Sequence, residues 1–137
     1  MWIVYALLSA LFASLTAIFA KVGVRDVNSD LATAIRTIVI LILAWGIVYF
    51  KGETKGLATL SKNSLLFLLL SGLATGLSWI FYFKALQIGK VSQVAPVDKL
   101  SVALTLLLSV VFLKEVLTIK VIIGACLIIA GTLVLVF

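Results

Sequence analysis

The sequence predicts an all-α integral membrane protein, a five-transmembrane-helix bundle with its N- and C-termini on opposite faces. Three observations carry this. Hydrophobic residues make up 64% of the 137 residues and charged residues 12%, with a mean hydropathy of +1.35. A soluble domain is closer to half apolar and about a quarter charged. The apolar residues fall in five stretches, each of about the 20 residues that span ~30 Å of hydrocarbon. The Lys and Arg side chains collect mainly in the breaks between those stretches. Such a chain cannot cover its surface with polar groups in water, whereas lipid is apolar already.

The net charge of +6 would point to nucleic acid in a soluble protein. Here the cations flank apolar spans, so phospholipid headgroups and control of topology account for them, and no nucleic-acid partner is expected. Cys126 is the one cysteine and lies mid-span, so no internal disulfide forms and a structural thiol is expected. The absence of histidine removes imidazole metal sites and imidazole proton relays.

The first span, Ile3–Val22, opens without the basic region of a secretory signal and is read as an uncleaved helix. Ala6, Ala10, Ala13, Ala17 and Ala20 recur at helical spacing, a small face that permits close packing. Asn28, Ser29 and Asp30 are capping candidates for the second span, Leu31–Phe50, which carries Arg36 about 9 Å down the helix at 1.5 Å per residue. Residues 51–63, with two glycines and three lysines, form the longest connection.

The third span, Ser64–Phe83, holds Gly72 and Gly76 in a GxxxG spacing. Ser71, Thr75, Ser78 and Tyr82 run down one of its faces. That stripe is either a helix-packing surface or a cavity wall with Trp79 and Tyr82 as aromatic lining. A short loop over residues 84–92 leads to the fourth span, Gln93–Leu113, with Pro96 in its first turn. The fifth span, Ile119–Phe137, carries Gly124 and Gly131 one heptad apart, a flat face for packing within the monomer or for a dimer contact.

The intramembrane charges are the candidate functional residues. Arg36, Asp98 and Lys99 each cost ~2.5–3.5 kcal/mol at mid-membrane. Their similar depth allows an Arg36–Asp98 or a Lys99–Asp98 pairing, which lowers the cost of both partners. Arg and Lys can snorkel to the headgroups; the short Asp98 carboxylate cannot. Asp98 also heads a stripe with Ser101, Thr105 and Ser109, within about 60° on a helical wheel. It reads either as the wall of a wet cavity or as a structural pair. Asp98 is the only acid inside a span, so any proton coupling would have to run through it. Two cations and one anion favour an anionic or zwitterionic ligand.

The loop cations are almost balanced: Lys51, Lys55, Lys62, Lys114 and Lys120 on one face, Lys21, Arg25, Lys84 and Lys90 on the other. The positive-inside rule needs an imbalance. An odd span count with balanced charge permits insertion both ways and an antiparallel homodimer, against the alternative of one fixed orientation.

The pattern from Phe83 onward resembles an EamA domain of the drug/metabolite transporter superfamily. It comprises Ala85-Leu86, Gly89, Pro96, Glu115, Leu117-Thr118, Gly124-Ala125, Leu127-Ile128-Ile129 and Gly131. The segments Leu31–Arg36 and Pro96–Ser101 resemble a short single-domain branch of that family. The resemblance implies one EamA-type repeat over residues 1–137 in the cell (inner) membrane of a prokaryote. Most members carry two inverted repeats around a central cavity, so a single repeat implies a dimer. The glycine heptad of span five looks like the dimerising last helix of the small multidrug resistance proteins. Their membrane-embedded Glu in the first helix has no counterpart here, and the proton-antiport route it serves does not carry over.

The expected function is a small-metabolite carrier working by alternating access as a dimer, its cavity lined by spans three and four with a contribution from span one. The alternatives are a non-transporting membrane subunit that needs a larger partner, and a passive channel. No nucleophile–base pair, metal-ligand cluster or phosphate-cradling glycine loop appears, so neither an enzyme nor a cofactor or metal is expected. The expected partners are the lipid bilayer, a second copy of the chain and a small-molecule solute.

Overall fold

Six α-helices and one short 3-10 helix account for the chain in a computed structural model that describes residues 1–137. The helices are α1 (Trp2–Gly23), α2 (Ser29–Phe50), α3 (Lys62–Ile88), α4 (Val91–Asp98), α5 (Leu100–Leu113) and α6 (Ile119–Val136). With α4 and α5 taken as one span, five are long and apolar enough to cross a membrane. Large apolar side chains lie exposed along all of them, for example Leu69, Leu73 and Leu77 on α3. Lipid is the solvent in which that surface costs nothing.

The helix boundaries have local causes. Asn28 caps α2: its Oδ1 accepts the backbone N–H of Asp30 at 2.9 Å and of Leu31 at 3.2 Å. Two of the helix's four orphan donors are thereby satisfied. Residues 51–61 contain a 3-10 helix, Glu53–Thr59, that packs on α2. Ser61 Oγ accepts the Ser64 N–H at the start of α3. Lys114 ends α5 in the left-handed conformation (φ 55°, ψ 31°), and its N–H donates to Ser109 O. Thr118 caps α6 by accepting from Val121 N.

The third and fourth spans differ most from the sequence reading, while α1, α2 and α6 shift at their ends by one or two residues. The third helix does not stop at Phe83 but runs on through Lys84, Ala85, Leu86 and Gln87 to Ile88. Lys84 and Gln87 are polar but are good helix formers, and nothing arrests the helix before Gly89. The connection to α4 therefore shrinks to Gly89 and Lys90. At 27 residues, α3 is ~40 Å long, which carries its polar ends beyond the hydrocarbon.

The fourth span is not one helix. It begins at Val91, two residues earlier than the sequence suggests, and breaks at Lys99. Pro96 thus sits at the sixth position of α4, past the first turn, where its missing N–H removes a bond to the carbonyl four residues back. The ladder tightens just beyond: Lys99 N donates to Pro96 O at 3.0 Å, and Val102 N to Lys99 O at 3.0 Å, both three-residue steps.

The chain divides into two compact units, one of Met1–Ile18 with Ile88–Phe137, the other of Phe19–Gln87. In the first, α6 packs against both α4 and α5. Thr132 is buried on α6, and its Oγ1 donates to Pro96 O at 3.3 Å. That carbonyl also accepts the Lys99 N–H, so a side chain 36 residues away adds a second bond at the tightened turn.

In the second unit the buried residues are Val24, Ser29, Thr33, Phe83 and Leu86. Thr33 Oγ1 returns its hydrogen bond to Ser29 O at 2.8 Å, so neither polar group is left unpaired by burial. Gln87 Nε2 donates to Val24 O at 3.2 Å and Val27 O at 2.9 Å, and Lys21 Nζ donates to Leu86 O. These bonds tie the turn between α1 and α2 to the end of α3.

Candidate substrate and charge sites

Arg36 stands seven residues into α2, ~10 Å from its start. Its guanidinium lies over two rings of α3, with Cζ 4.6 Å from the Trp79 centroid and 4.3 Å from the Phe83 centroid. Trp79 and Phe83 are four residues apart and so share a helix face. Phe83 is 2% exposed, which fixes the floor of the site. Tyr82 meets Phe83 edge-on, with centroids 6.0 Å apart at 78°. Each cation–π contact is worth ~0.5–2 kcal/mol, more when desolvated.

The rings satisfy the charge but not the hydrogen bonds. One guanidinium nitrogen, Nη1, is fully covered and has no hydrogen-bond partner. An arginine presents five N–H donors, and a buried unpaired one costs ~1–3 kcal/mol, more when charged. Of the residues named from sequence, Arg36, Trp79 and Tyr82 are thus brought together. Phe83 was missed, although its i, i+4 relation to Trp79 was available to find it.

In the other unit, Lys99 Nζ lies 3.3 Å from Asp98 Oδ2, the pairing of neighbours in sequence. Both side chains remain accessible, at 58% and 37%. The pair occupies the tightened turn between α4 and α5, where Lys99 keeps right-handed helical dihedrals (φ −70°, ψ −11°). Interrupted helices supply ion and substrate sites in many transporters. Ser101 and Thr105 follow on α5, both exposed, while Ser109 is buried and donates to Leu106 O. Thr132 at Pro96 is the contact that sequence reasoning missed here, because no spacing rule links residues on two helices.

The glycines lie on open faces. A Cβ built on Gly72, Gly76, Gly124 or Gly131 meets no atom within 4 Å. Around the first two, Leu68, Leu69, Leu73, Leu77 and Ile80 line an open apolar groove on α3. Cys126 on α6 is a free, exposed thiol.

The model of the EamA-like transporter family matches residues 1–137, the whole chain. The chain belongs to the EamA-like transporter family. A curated relative from Sinorhizobium sp, named "Uncharacterized transporter in cobO 3'region", is 49% identical over 134 residues, covering 98% of this chain and 95% of that protein. No solved structure matches the chain significantly. This EamA-like chain is therefore a multi-pass membrane protein of a transporter family, with its intramembrane charges placed as described.

Proposed function

We propose that the protein is a small-metabolite transporter that works by alternating access as a dimer, inserted antiparallel in the cell membrane of a prokaryote. The observation that carries the reading is the interrupted fourth span. An accessible Asp98–Lys99 pair at a tightened turn of a membrane helix is costly unless it is used. Family membership and the relative's printed name support the transporter part. The glycine faces of α3 and α6, where an added Cβ meets no atom within 4 Å, support the dimer as small surfaces for a second copy to pack on. The near balance of loop cations supports antiparallel insertion.

Topology in intact cells tests the assembly. Cys126 is replaced by Ala, one cysteine is placed in the 51–61 connection, and an impermeant thiol reagent is added from outside. Labelling of about half the molecules is the expected result; all-or-none labelling would remove the antiparallel homodimer. Solute counterflow in proteoliposomes tests transport itself. Counterflow separates a carrier from a passive channel, which shows none. A reconstituted protein indifferent to every solute until a partner is added would mark a non-transporting subunit.

A further inference from the structure

We propose that Arg36, held between Trp79 and Phe83, is a binding site for an oxyanion, a carboxylate or phosphate group carried by a solute or by a lipid headgroup. The proposal deepens the transporter reading by naming a ligand class, and it rests on that reading only for the statement that the oxyanion is cargo.

Four observations converge on it. The guanidinium is fixed by two aromatic faces, at 4.6 and 4.3 Å, and so does not extend along the helix to the membrane surface as a lipid-facing arginine does. No carboxylate pairs with it, Nη1 is covered and has no hydrogen-bond partner, and Tyr82 is the group that interacts with it electrostatically. Arginine's planar fork matches an oxyanion's two oxygens. The residue as a whole is only half-buried, so a ligand can reach it.

The surrounding charge agrees. Between Phe19 and Gln87 there are seven Lys and Arg against three Asp and Glu, a balance of +4. The three acids lie away from Arg36 in the chain's order: Asp26 in the turn before α2, Asp30 in its first turn, and Glu53 in the 3-10 helix. On α2, Asp30 is six residues from Arg36, about 120° around the helix. A partly desolvated cation with no carboxylate paired to it in the protein favours an anion from outside.

Trp79 itself reports the test. Trp2 and Trp45 lie outside the site and are replaced by Phe, leaving Trp79 as the only indole. The protein is placed in phosphatidylcholine nanodiscs and titrated with benzoate, and separately with benzamide, its neutral isostere. Benzoate should change the Trp79 emission saturably, and benzamide should need at least tenfold higher concentration. Arg36→Gln should weaken benzoate at least tenfold, and Arg36→Lys should fall between. Equal response to benzoate and benzamide would overturn the site, and this comparison requires no variant at Arg36 to fold. An Arg36→Gln protein of unchanged helix content that keeps the benzoate response would overturn it too.

Repeating the titration with phosphatidylglycerol in the discs identifies the source. Competition by the anionic lipid supports the site with a headgroup as its occupant; an unchanged benzoate response supports it with a solute as occupant. Benzoate binding without counterflow of any solute would sink the transporter reading and leave the oxyanion site standing. Counterflow indifferent to Arg36→Gln would leave the transporter reading standing and remove the oxyanion as its cargo.

Discussion

The Arg36 guanidinium carbon lies 4.3 Å from the centre of the Phe83 ring, and Phe83 is almost wholly buried. The ring therefore serves two ends at once, packing the Phe19–Gln87 unit and holding the charge. Phe83→Ala should lose both, destabilising the detergent-solubilised protein by about 3 kcal/mol or more. Trp79→Phe keeps a ring under the guanidinium and should cost less than about 1 kcal/mol. Reversible unfolding in mixed micelles ranks the two. A Trp79→Phe protein less stable than Phe83→Ala would refute the assignment of Phe83 as the floor of the site.

Asp98 and Lys99 are paired but open to their surroundings. Exposed pairs contribute ~0–1 kcal/mol, so Asp98→Asn should leave thermal stability nearly unchanged. Its effect should fall on function: loss of coupling, or of any uptake that needs the carboxylate. Uptake and its pH dependence in proteoliposomes give the answer, and an Asp98→Asn protein identical to the parent in both would take Asp98 out of the mechanism.

Thr132 and Pro96 meet at the break in the fourth span. Thr132→Val removes the hydroxyl that donates to Pro96 O and should cost ~1 kcal/mol. Pro96→Ala returns an N–H to the ladder and should keep or raise stability while slowing transport. Amide hydrogen exchange at residues 97–102 checks the cause, because the alanine variant should protect them more. Unaltered protection with slowed transport would mean that the proline acts by some other route.

Gly124→Leu tests the dimer. A Cβ there meets nothing within 4 Å, so the first added carbon fits within the monomer. Helix content should stay the same while the dimer fraction in detergent, read by light scattering, falls at least several-fold. Gly72→Leu makes the same test on α3. A dimer that survives both substitutions would exclude these faces as its contact.

The membrane spans were legible because hydropathy needs no tertiary information, and the Asn28 cap was legible because capping is local. The extension of α3 was hidden by its polarity: Lys84 and Gln87 look like loop residues but have helical propensity. Gln87 shows why tertiary context decides, since its amide serves carbonyls 60 and 63 positions earlier in the sequence. The break at Lys99 was half legible. Pro96 announced a disturbance, but its place in the helix depended on a start at Val91, and its relief by Thr132 depended on packing. Arg36 stood out as an intramembrane charge, whereas its unpartnered nitrogen is a property of three dimensions alone.

The bond from Gln87 to Val24 and Val27 bears on how the protein is made. Val24 and Val27 leave the ribosome long before Gln87, so the carbonyls of the first turn enter the membrane without their eventual donor. The first two helices must be delivered with that turn still wet, and only arrival of the last turn of the third can seal it. Nascent chains arrested just short of Gln87 should hold their first hairpin loosely, and chains a few residues longer should lock it. Closure of that first hairpin thus waits on Leu86 and Gln87, through the bonds they make to Lys21, Val24 and Val27.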